Sequence, residues 1–210
     1  MTEIKRYSPV EFKVTPLKNE TRNNWDVVLE YHGEGDGPWL VDLSHRTRLD
    51  LQSPELADKK PFGITIPDTY CSSVLEKGML VNRMNRTQTS IYHLDGEKIE
   101  VPGESEYTEV TDATIFLAII GNPVFSICEK LCALDFMDPG KQTPFLFQGP
   151  FSHVPCQIVT LSRDAEKSGV VLTCSRGYAR DMVDAILHAG EEFGLKPAGE
   201  KRFTAWINSL

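Results

Sequence analysis

The strongest pattern of apolar and polar positions lies in the second half of the chain, where a strand precedes an amphipathic helix. Residues 169–174 form an apolar run of the length of a buried strand. Residues 178–193 place apolar side chains at helical spacing and predict a helix. Gly194 and Pro197 follow, and both residue types commonly end helices. The buried face of this helix is expected to hold Ala179, Met182, Val183, Ile186, Ala189 and Phe193.

The same order of strand and helix occurs once before. Residues 114–120 are apolar and predict a buried strand. Asn122 suits the N-cap of a helix, and Pro123 suits the first helical position. Apolar residues spaced three and four apart then continue to Leu134, so a first helix is predicted over residues 123–134.

Further elements complete this half of the chain. Residues 140–150 are expected to form a loop, and residues 153–161 a hairpin with the strand at 169–174. A last strand is expected at 202–207. The resulting order, β-α-β-β-α-β, is the ferredoxin-like plan, which packs two helices on one face of an antiparallel sheet.

The first half of the chain has the pattern of short strands joined by polar turns. Residues 1–24 are polar and predict an extended arm, and residues 72–77 predict a short helix. Strands are expected at 25–31, 39–43, 48–51, 79–84 and 89–94. The charged stretch 95–105 suits a boundary. We therefore predict an α+β protein of two lobes, a β-rich lobe over residues 1–105 and a βαββαβ lobe over residues 106–210, packed as one compact unit.

Composition excludes several classes of function. A net charge of -8 argues against nucleic acid as the main partner, because phosphate binding needs clustered Lys and Arg. No stretch approaches the ~20 apolar residues of a membrane span, and the N-terminus lacks the apolar region of a secretory signal. Five cysteines at irregular spacing predict a reducing, cytoplasmic setting without disulfides. No Gly-rich phosphate loop and no metal-ligand spacing of Cys and His occur, so neither a dinucleotide nor a metal is expected.

Two groups of polar residues are candidates for chemistry. Residues 42–46 hold an acid, a hydroxyl, an imidazole and a guanidinium. Members of a nucleophilic triad normally come from distant segments, so a turn stabilised by Asp42 or Ser44 is the favoured interpretation. Arg163 and Arg176 bracket the predicted hairpin, where Arg can bind a carboxylate or phosphate in a bidentate manner. A solvated Arg with a weak surface ion pair is the favoured alternative for both.

Several segments resemble a known family. Residues 111–135 resemble the strand–Gly–helix–Leu-Asp segment of the sarcosine oxidase gamma subunit, and residues 174–195 resemble its closing helix. The ending at 194–199 and the Asp-Leu-Ser stretch within 41–46 are similar to the wider folate-dependent aminomethyltransferase group, which includes the glycine cleavage T-protein. The resemblance implies the T-protein folate-binding domain as the fold of this chain.

The chain departs from the T-protein pattern at the acids that T-proteins use. The hairpin at 82–94 lacks the Gly-Gly turn and Asp-Asp pair of T-proteins. Lys167 and Val171 stand where the resemblance implies pterin-binding acids, unless a register slip of one residue brings Glu166 there. Loss of such a carboxylate removes a charge-assisted hydrogen bond and should weaken the binding of a pterin by about 1.5–3 kcal/mol. No catalytic residue is therefore expected.

On this resemblance the candidate cofactor-binding residues are Arg163, Glu166 and Arg176, followed by His45 and Arg46. The resemblance leaves open whether tetrahydrofolate binds or no cofactor binds.

Three hypotheses of function follow. The first is a non-catalytic accessory subunit that packs against larger flavin- or folate-binding subunits in one-carbon metabolism. The second is an autonomous tetrahydrofolate-dependent methyl or aminomethyl transferase. The third is a small-ligand binding protein that uses a groove between the lobes. Under the first hypothesis four aromatic residues are either interface anchors or core residues, since aromatic side chains are enriched at binding hot spots. These are Trp39, Phe145, Phe147 and Phe151.

Overall fold

The computed structural model describes residues 4–97 and 99–210, and within them the chain is mostly β-structure. The strands are β1 Pro16–Arg22, β2 Trp25–Tyr31, β3 Trp39–Asp42, β4 Arg48–Gln52, β5 Ser73–Glu76, β6 Met79–Arg83, β7 Gln88–His93, β8 Tyr107–Glu109, β9 Thr114–Ile120, β10 Phe145–Phe151, β11 Val154–Ser162, β12 Gly169–Ser175 and β13 Lys196–Ala198. The α-helices are α1 Val124–Glu129, α2 Ala179–Gly190 and α3 Glu200–Ile207.

A six-stranded sheet organises the second half of the chain. Its order is β10-β11-β12-β9-β3-β13, and every pair is antiparallel except β13 with β3. Strands β9, β11 and β12, with α1 and α2, follow the expected order, and β13, not residues 202–207, supplies the last strand of the βαββαβ unit. Strand β3 of the N-terminal half lies between β9 and β13, and β10 extends the edge beyond β11. The α+β prediction is confirmed.

The first half of the chain builds a second, five-stranded antiparallel sheet in the order β5-β6-β7-β4-β8 and the separate hairpin β1-β2. The two main sheets are consistent with a two-lobe layout. One strand from each half lies in the sheet of the other half, β3 in the six-stranded sheet and β8 in the five-stranded sheet. The boundary at residue 105 stays a prediction.

The six-stranded sheet is buried on both faces, and β9 shows why. Alternate residues of a strand point to opposite faces. On one face Ile115, Leu117 and Ile119 pack in a core with residues of α1 and α2. On the other face Phe116 and its neighbours pack against Tyr92 of β7 and against α3. A strand buried on both faces has a continuous apolar sequence, as this one does.

Helix α2 confirms the prediction made from its apolar spacing. The expected face from Ala179 to Ala189 is buried, and Phe193 packs against the same core from a 3-10 turn that follows. The chain leaves this turn at Gly194, which has a φ of +74°. Because side-chain-bearing residues rarely adopt this left-handed conformation, glycine ends the helix there.

The last strand predicted at 202–207 was wrong, because these residues belong to α3. The buried side chains of α3 are Glu200, Phe203 and Trp206, which are spaced three residues apart. This spacing places them on one face of a helix, whereas a strand would have separated them onto two faces. The polar residues between them face outward.

The short helix predicted at 72–77 was also wrong, because Ser73–Glu76 is β5. Strand β5 continues through Lys77 and Gly78 into β6, and both turn residues have positive φ angles. A two-residue turn of this kind twists in the direction that an antiparallel hairpin requires. The dipeptide Lys77-Gly78 was the feature of the sequence that could have indicated this turn.

Two boundaries in the second half also differ from the prediction. Helix α1 ends at Glu129 instead of residue 134, and Pro123, not Asn122, takes the N-cap position. Residues 140–150 were predicted as a loop, but Phe145–Phe151 forms β10 and pairs with β11 along its whole length. The hairpin predicted between 153–161 and 169–174 is confirmed as β11 and β12.

The aromatic residues considered as interface anchors are engaged within the chain. Phe145 and Phe151 are buried in the core, which is the second of the two alternatives considered for them. Phe147 is half-buried and packs edge-on against Phe145. Trp39 is also half-buried and donates its indole N–H to the carbonyl of Glu34. A contact of Trp39 or Phe147 with a partner stays a prediction.

Candidate functional site

The structure brings His45 and Arg46 together at one carboxylate, that of Glu200 in α3. His45 lies 2.8 Å from Glu200 Oε1 through Nε2, and Arg46 donates to the same oxygen through Nε at 3.1 Å and Nη2 at 2.9 Å. A second guanidinium, that of Arg22, approaches from the end of β1, with Nη2 2.8 Å from Glu200 Oε2. We call Arg22, His45, Arg46 and Glu200 the Glu200 cluster.

The Glu200 cluster is nearly sealed from solvent. The side chain of Glu200 is 4% exposed and that of Arg46 is 1% exposed. Burial by itself raises the pKa of Glu200, but the hydrogen bonds and charges of His45, Arg22 and Arg46 outweigh it and hold the pKa well below its usual range. Glu200 is therefore an anion, and the cluster fastens α3 to the turn after β3.

Sequence reasoning missed Arg22 and Glu200. Glu200 was placed before a predicted strand, where an acid is ordinary, and Arg22 lay in a polar arm. The available signal was the spacing of Glu200, Phe203 and Trp206 on one helix face. An acid on a buried face requires a cationic partner, because an unpaired buried charge is strongly unfavourable.

Arg163, Glu166 and Arg176 do not meet. Arg163 lies before β12 and donates to the carbonyls of Asp138 and Lys141, so it fastens the loop before β10. Arg176 follows the opposite end of β12 and donates to the carbonyl of Tyr7 at 2.7 Å. The seven residues of β12 separate the two guanidinium groups by roughly 20 Å of strand.

Glu166 lies in the hairpin loop between β11 and β12, and its side chain is exposed. Its backbone N–H donates to Asp164 Oδ1 at 2.9 Å, which stabilises the turn. Its carboxylate makes no hydrogen bond or ion pair to any of the residues that the structure describes. A role of these three residues in cofactor binding stays a prediction, and it would need three separate contacts.

A cavity of about 180 Å³ lies between the two main sheets, and we call it the inter-sheet cavity. Strands β4 and β7 contribute one wall, and β11 and β12 contribute the other. Its polar lining residues are Arg48, Asp50, Gln88, Ser90, Tyr92, Thr114, Gln157 and Thr173. Polar groups that converge on a cavity between two lobes are typical of a small-molecule site.

Tyr92 is the centre of a hydrogen-bond network beside this cavity. Its hydroxyl donates to Gln157 Oε1 at 2.5 Å and accepts from Ser90 Oγ at 3.2 Å. Thr173 Oγ1 lies 3.4 Å away. Burial raises the pKa of Tyr92, so the phenol stays protonated and joins the two sheets as a neutral donor. Neutral hydrogen bonds of this kind orient a ligand but supply no charge.

Arg48 lines the same cavity but is saturated by the protein. Its guanidinium is fully buried and donates to several main-chain carbonyls, among them Thr111 at 2.6 Å, and to the hydroxyl of Thr114 at 2.9 Å. Burial lowers the pKa of Arg48 to about 10, which leaves it charged at neutral pH. Because carbonyl dipoles already surround it, Arg48 acts as a clamp between β4 and β9.

Asp50 is the one carboxylate among the described residues that line the inter-sheet cavity. Its oxygens accept from Gln88 Nε2 at 2.9 Å and from Gln52 Nε2 at 2.5 Å. General acid–base catalysis needs a titratable side chain within hydrogen-bond reach of the proton that it moves. Among the described lining residues, Asp50 and Tyr92 are side chains of this kind, and none is a histidine, cysteine or lysine.

Two solved proteins share this fold. A chain of heterotetrameric sarcosine oxidase from Corynebacterium sp. U-96, in complex with pyrrole 2-carboxylate, matches with a TM-score of 0.60 and 13% identity, over 73% of this chain and 84% of that chain. Glycine cleavage system aminomethyltransferase T from Bartonella henselae matches with a TM-score of 0.57 and 15% identity, over 88% of this chain and 56% of that chain. No family model matches the sequence. No curated protein matches it either.

These likenesses establish the fold. The chain has the aminomethyltransferase-like α+β fold implied by the sequence resemblance, and it spans a little more than half of the aminomethyltransferase. Membership of the gamma-subunit family stays a prediction. Among the residues that the structure describes, no helix has the length and apolar character to cross a membrane.

Proposed function

We propose that this chain is a non-catalytic accessory subunit of a multi-subunit complex in folate-linked one-carbon metabolism. The observation that carries the proposal is a shared fold. This chain matches a chain of a heterotetrameric sarcosine oxidase and covers 84% of that chain's length. The chain covers a larger share of that chain than of aminomethyltransferase T, of which it spans 56%, and the proposal follows the larger share.

The chemistry of the inter-sheet cavity supports a non-catalytic role. Both oxygens of Asp50 accept hydrogen bonds from glutamine side chains, which hold the carboxylate in one orientation. Arg48 beside the cavity and Arg22 and Arg46 of the Glu200 cluster also bind partners within the chain, although Arg46 Nη1 has none among the described residues.

The volume of the inter-sheet cavity limits the size of the molecule that this particular cavity can hold. At about 180 Å³ it is smaller than the roughly 300–1,000 Å³ of pockets that enclose drug-sized ligands. Side chains such as Tyr92 and Gln157 would have to break their mutual hydrogen bond to admit a pterin. We propose that larger flavin- or folate-binding subunits, in the cytoplasm, hold the cofactors of the complex.

Purification of the chain from its native cells tests the proposal. A tag on the chromosomal copy should recover a complex of defined stoichiometry by native mass spectrometry, with the absorbance of flavin near 450 nm or a bound folate in the partner. Omission of this chain from the reconstituted complex should reduce amine oxidation or complex stability. Recovery of a partner-free, monodisperse monomer would contradict the proposal.

The second candidate is an autonomous tetrahydrofolate-dependent methyl or aminomethyl transferase, and the likeness to aminomethyltransferase T is the observation that favours it. Isothermal titration calorimetry of the isolated chain with tetrahydrofolate separates the two candidates. Saturable heat that is lost in Asp50→Asn would favour the transferase. Absence of heat at millimolar ligand would remove it and leave the accessory role.

A further inference from the structure

Two free cysteines lie opposite each other on neighbouring strands, Cys156 near the start of β11 and Cys174 near the end of β12. The two strands are antiparallel, and Gln157 pairs with Thr173. One step further along both strands, the same register places Cys156 opposite Cys174. We call these two residues the cysteine pair. The proposed accessory role makes no use of it.

The cysteine pair lies on the face of the sheet that is turned away from the inter-sheet cavity. Gln157 and Thr173 line that cavity, and successive side chains of a strand point to opposite faces. Both cysteines therefore pack in the core on the other face, together with residues of α1 and α2. Side chains directly opposite on one face of an antiparallel pair have Cβ atoms about 4.5–5.5 Å apart. A disulfide needs about 3.5–4.5 Å, so a small approach of the two strand ends suffices.

The two thiols interact with each other directly. The thiol of Cys156 donates a hydrogen bond to the sulfur of Cys174, which raises the pKa of Cys156 and lowers the pKa of Cys174. Burial raises the pKa of both thiols and so opposes the change at Cys174. Because the thiolate is the nucleophilic form of cysteine, Cys174 is the member of the pair that reacts first.

The other three cysteines are arranged differently. Cys128 and Cys132 are four residues apart at the end of α1, and the thiol of Cys132 donates to the carbonyl of Cys128 at 3.5 Å. Residues with this spacing on a helix have Cβ atoms about 5–6 Å apart, and the helical backbone fixes that distance. Cys71 lies before β5 in the other half of the chain and is half-exposed. The register of β11 and β12 therefore favours the pairing of Cys156 with Cys174.

The cysteine pair lies at the edge of the core, near the protein surface. Cys156 is 6% exposed and Cys174 is 4% exposed, whereas Cys128 is fully buried. Their neighbours in the sequence, Pro155 and Ser175, are exposed. A small oxidant can reach the two sulfur atoms after a slight opening of the strand ends, but a protein-sized oxidant cannot.

We propose that Cys156 and Cys174 form a reversible disulfide when the chain meets a hydroperoxide. The thiolate of Cys174 attacks the O–O bond, which gives a sulfenic acid and releases an alcohol, or water from hydrogen peroxide. The thiol of Cys156 then attacks the sulfenic sulfur, the S–O bond breaks, and water leaves as the S–S bond forms. The two thiols lose two protons and two electrons, which the hydroperoxide takes up. Two molecules of a small thiol restore the pair by exchange and leave as their own disulfide.

Peptide mapping of the full chain tests this inference. The folded protein is treated with hydrogen peroxide, denatured, alkylated with iodoacetamide and digested without a reductant. We expect a disulfide-linked peptide that holds Cys156 and Cys174, and an intact mass lower by two hydrogen atoms. Dithiothreitol should restore both thiols. Oxidation of Met137, which is 52% exposed, to its sulfoxide shows that the dose of peroxide was sufficient.

Alanine variants distinguish this pair from the other cysteines. Cys156→Ala and Cys174→Ala should each abolish the linked peptide. Cys128→Ala is the matched control, because Cys128 is buried in the same core, and it should retain the linked peptide. Circular dichroism of each variant checks that the fold is intact. The map of the wild-type protein needs no variant, so it decides the inference even where a variant fails to fold.

Three results would overturn the inference. The first is recovery of both Cys156 and Cys174 in alkylated form at a dose that oxidises Met137. The second is a linked peptide that joins Cys156 to Cys132 in place of Cys174. The third is a loss of two hydrogen atoms that persists in a folded Cys156→Ala variant.

Discussion

Replacement of Glu200 by Gln is the most informative perturbation of the fold. Gln keeps an oxygen for the hydrogen bonds of Arg46 and His45 but removes the negative charge that Arg22 and Arg46 share. Removal of one partner of a buried ion pair leaves an uncompensated charge, which typically costs about 3–5 kcal/mol. Because Arg46 is 1% exposed while Arg22 keeps some contact with water, we expect a loss near the lower end, about 3 kcal/mol.

The assay is urea unfolding followed by tryptophan fluorescence at pH 7, with Glu191→Gln as the control. Glu191 is 81% exposed and lies 3.9 Å from His188, so its replacement should cost less than about 0.5 kcal/mol. A loss below about 1 kcal/mol in Glu200→Gln would refute the reasoning, because the cluster would then contribute no more than a surface pair.

The dependence on pH gives an independent check of Glu200. The folded protein lowers the pKa of Glu200 below its unfolded value of about 4.5. A group with a lowered folded pKa contributes its full stability above the unfolded pKa and loses it as the pH falls through the folded pKa. The difference in unfolding free energy between wild type and Glu200→Gln should therefore narrow as the pH falls below about 4.5. A constant difference down to pH 2 would contradict the assignment.

Two further substitutions test the packing and the inter-sheet network. Gly199→Ala should lower the free energy of unfolding by at least about 2 kcal/mol, because the added Cβ would lie 2.2 Å from the carbonyl of Leu29. The control is Gly177→Ala, whose Cβ would meet no atom within 4 Å. This control should be nearly neutral in thermal unfolding. Tyr92→Phe should cost about 1–2 kcal/mol in urea unfolding, since it leaves Gln157 without its buried donor, and an unchanged midpoint would show that the network contributes nothing.

The prediction from sequence succeeded where a single local pattern carried the information. The six consecutive apolar residues from Ile115 to Ile120 are all fully buried in β9. Helix α2 likewise has the buried face that its spacing predicted. In both elements the residues that are buried are those that the local periodicity selects, so this pattern alone predicted the element and its buried residues.

The prediction failed where the local pattern was short or mixed. In α3, two large apolar residues three positions apart were taken for a strand, although the same spacing describes one helix face. In β5, three half-exposed residues and one exposed residue carried too little periodicity to distinguish a strand from a helix. The turn at Gly78 and the pairing with β6 decided that segment, and pairing is a property of two segments together.

The amino-acid sequence by itself determined the α+β class, the strand at β9, the helix at α2 and the likeness to aminomethyltransferase-like proteins. Only the tertiary structure showed that Glu200 meets His45 across 155 residues of chain, or that Asp42 and Trp25 line one cavity. The spacing of apolar residues within one segment shows which face of that segment is buried, so this information is local in the sequence. Charge pairing and unsatisfied polar groups depend on which distant segments the packing brings together, so no single segment encodes them.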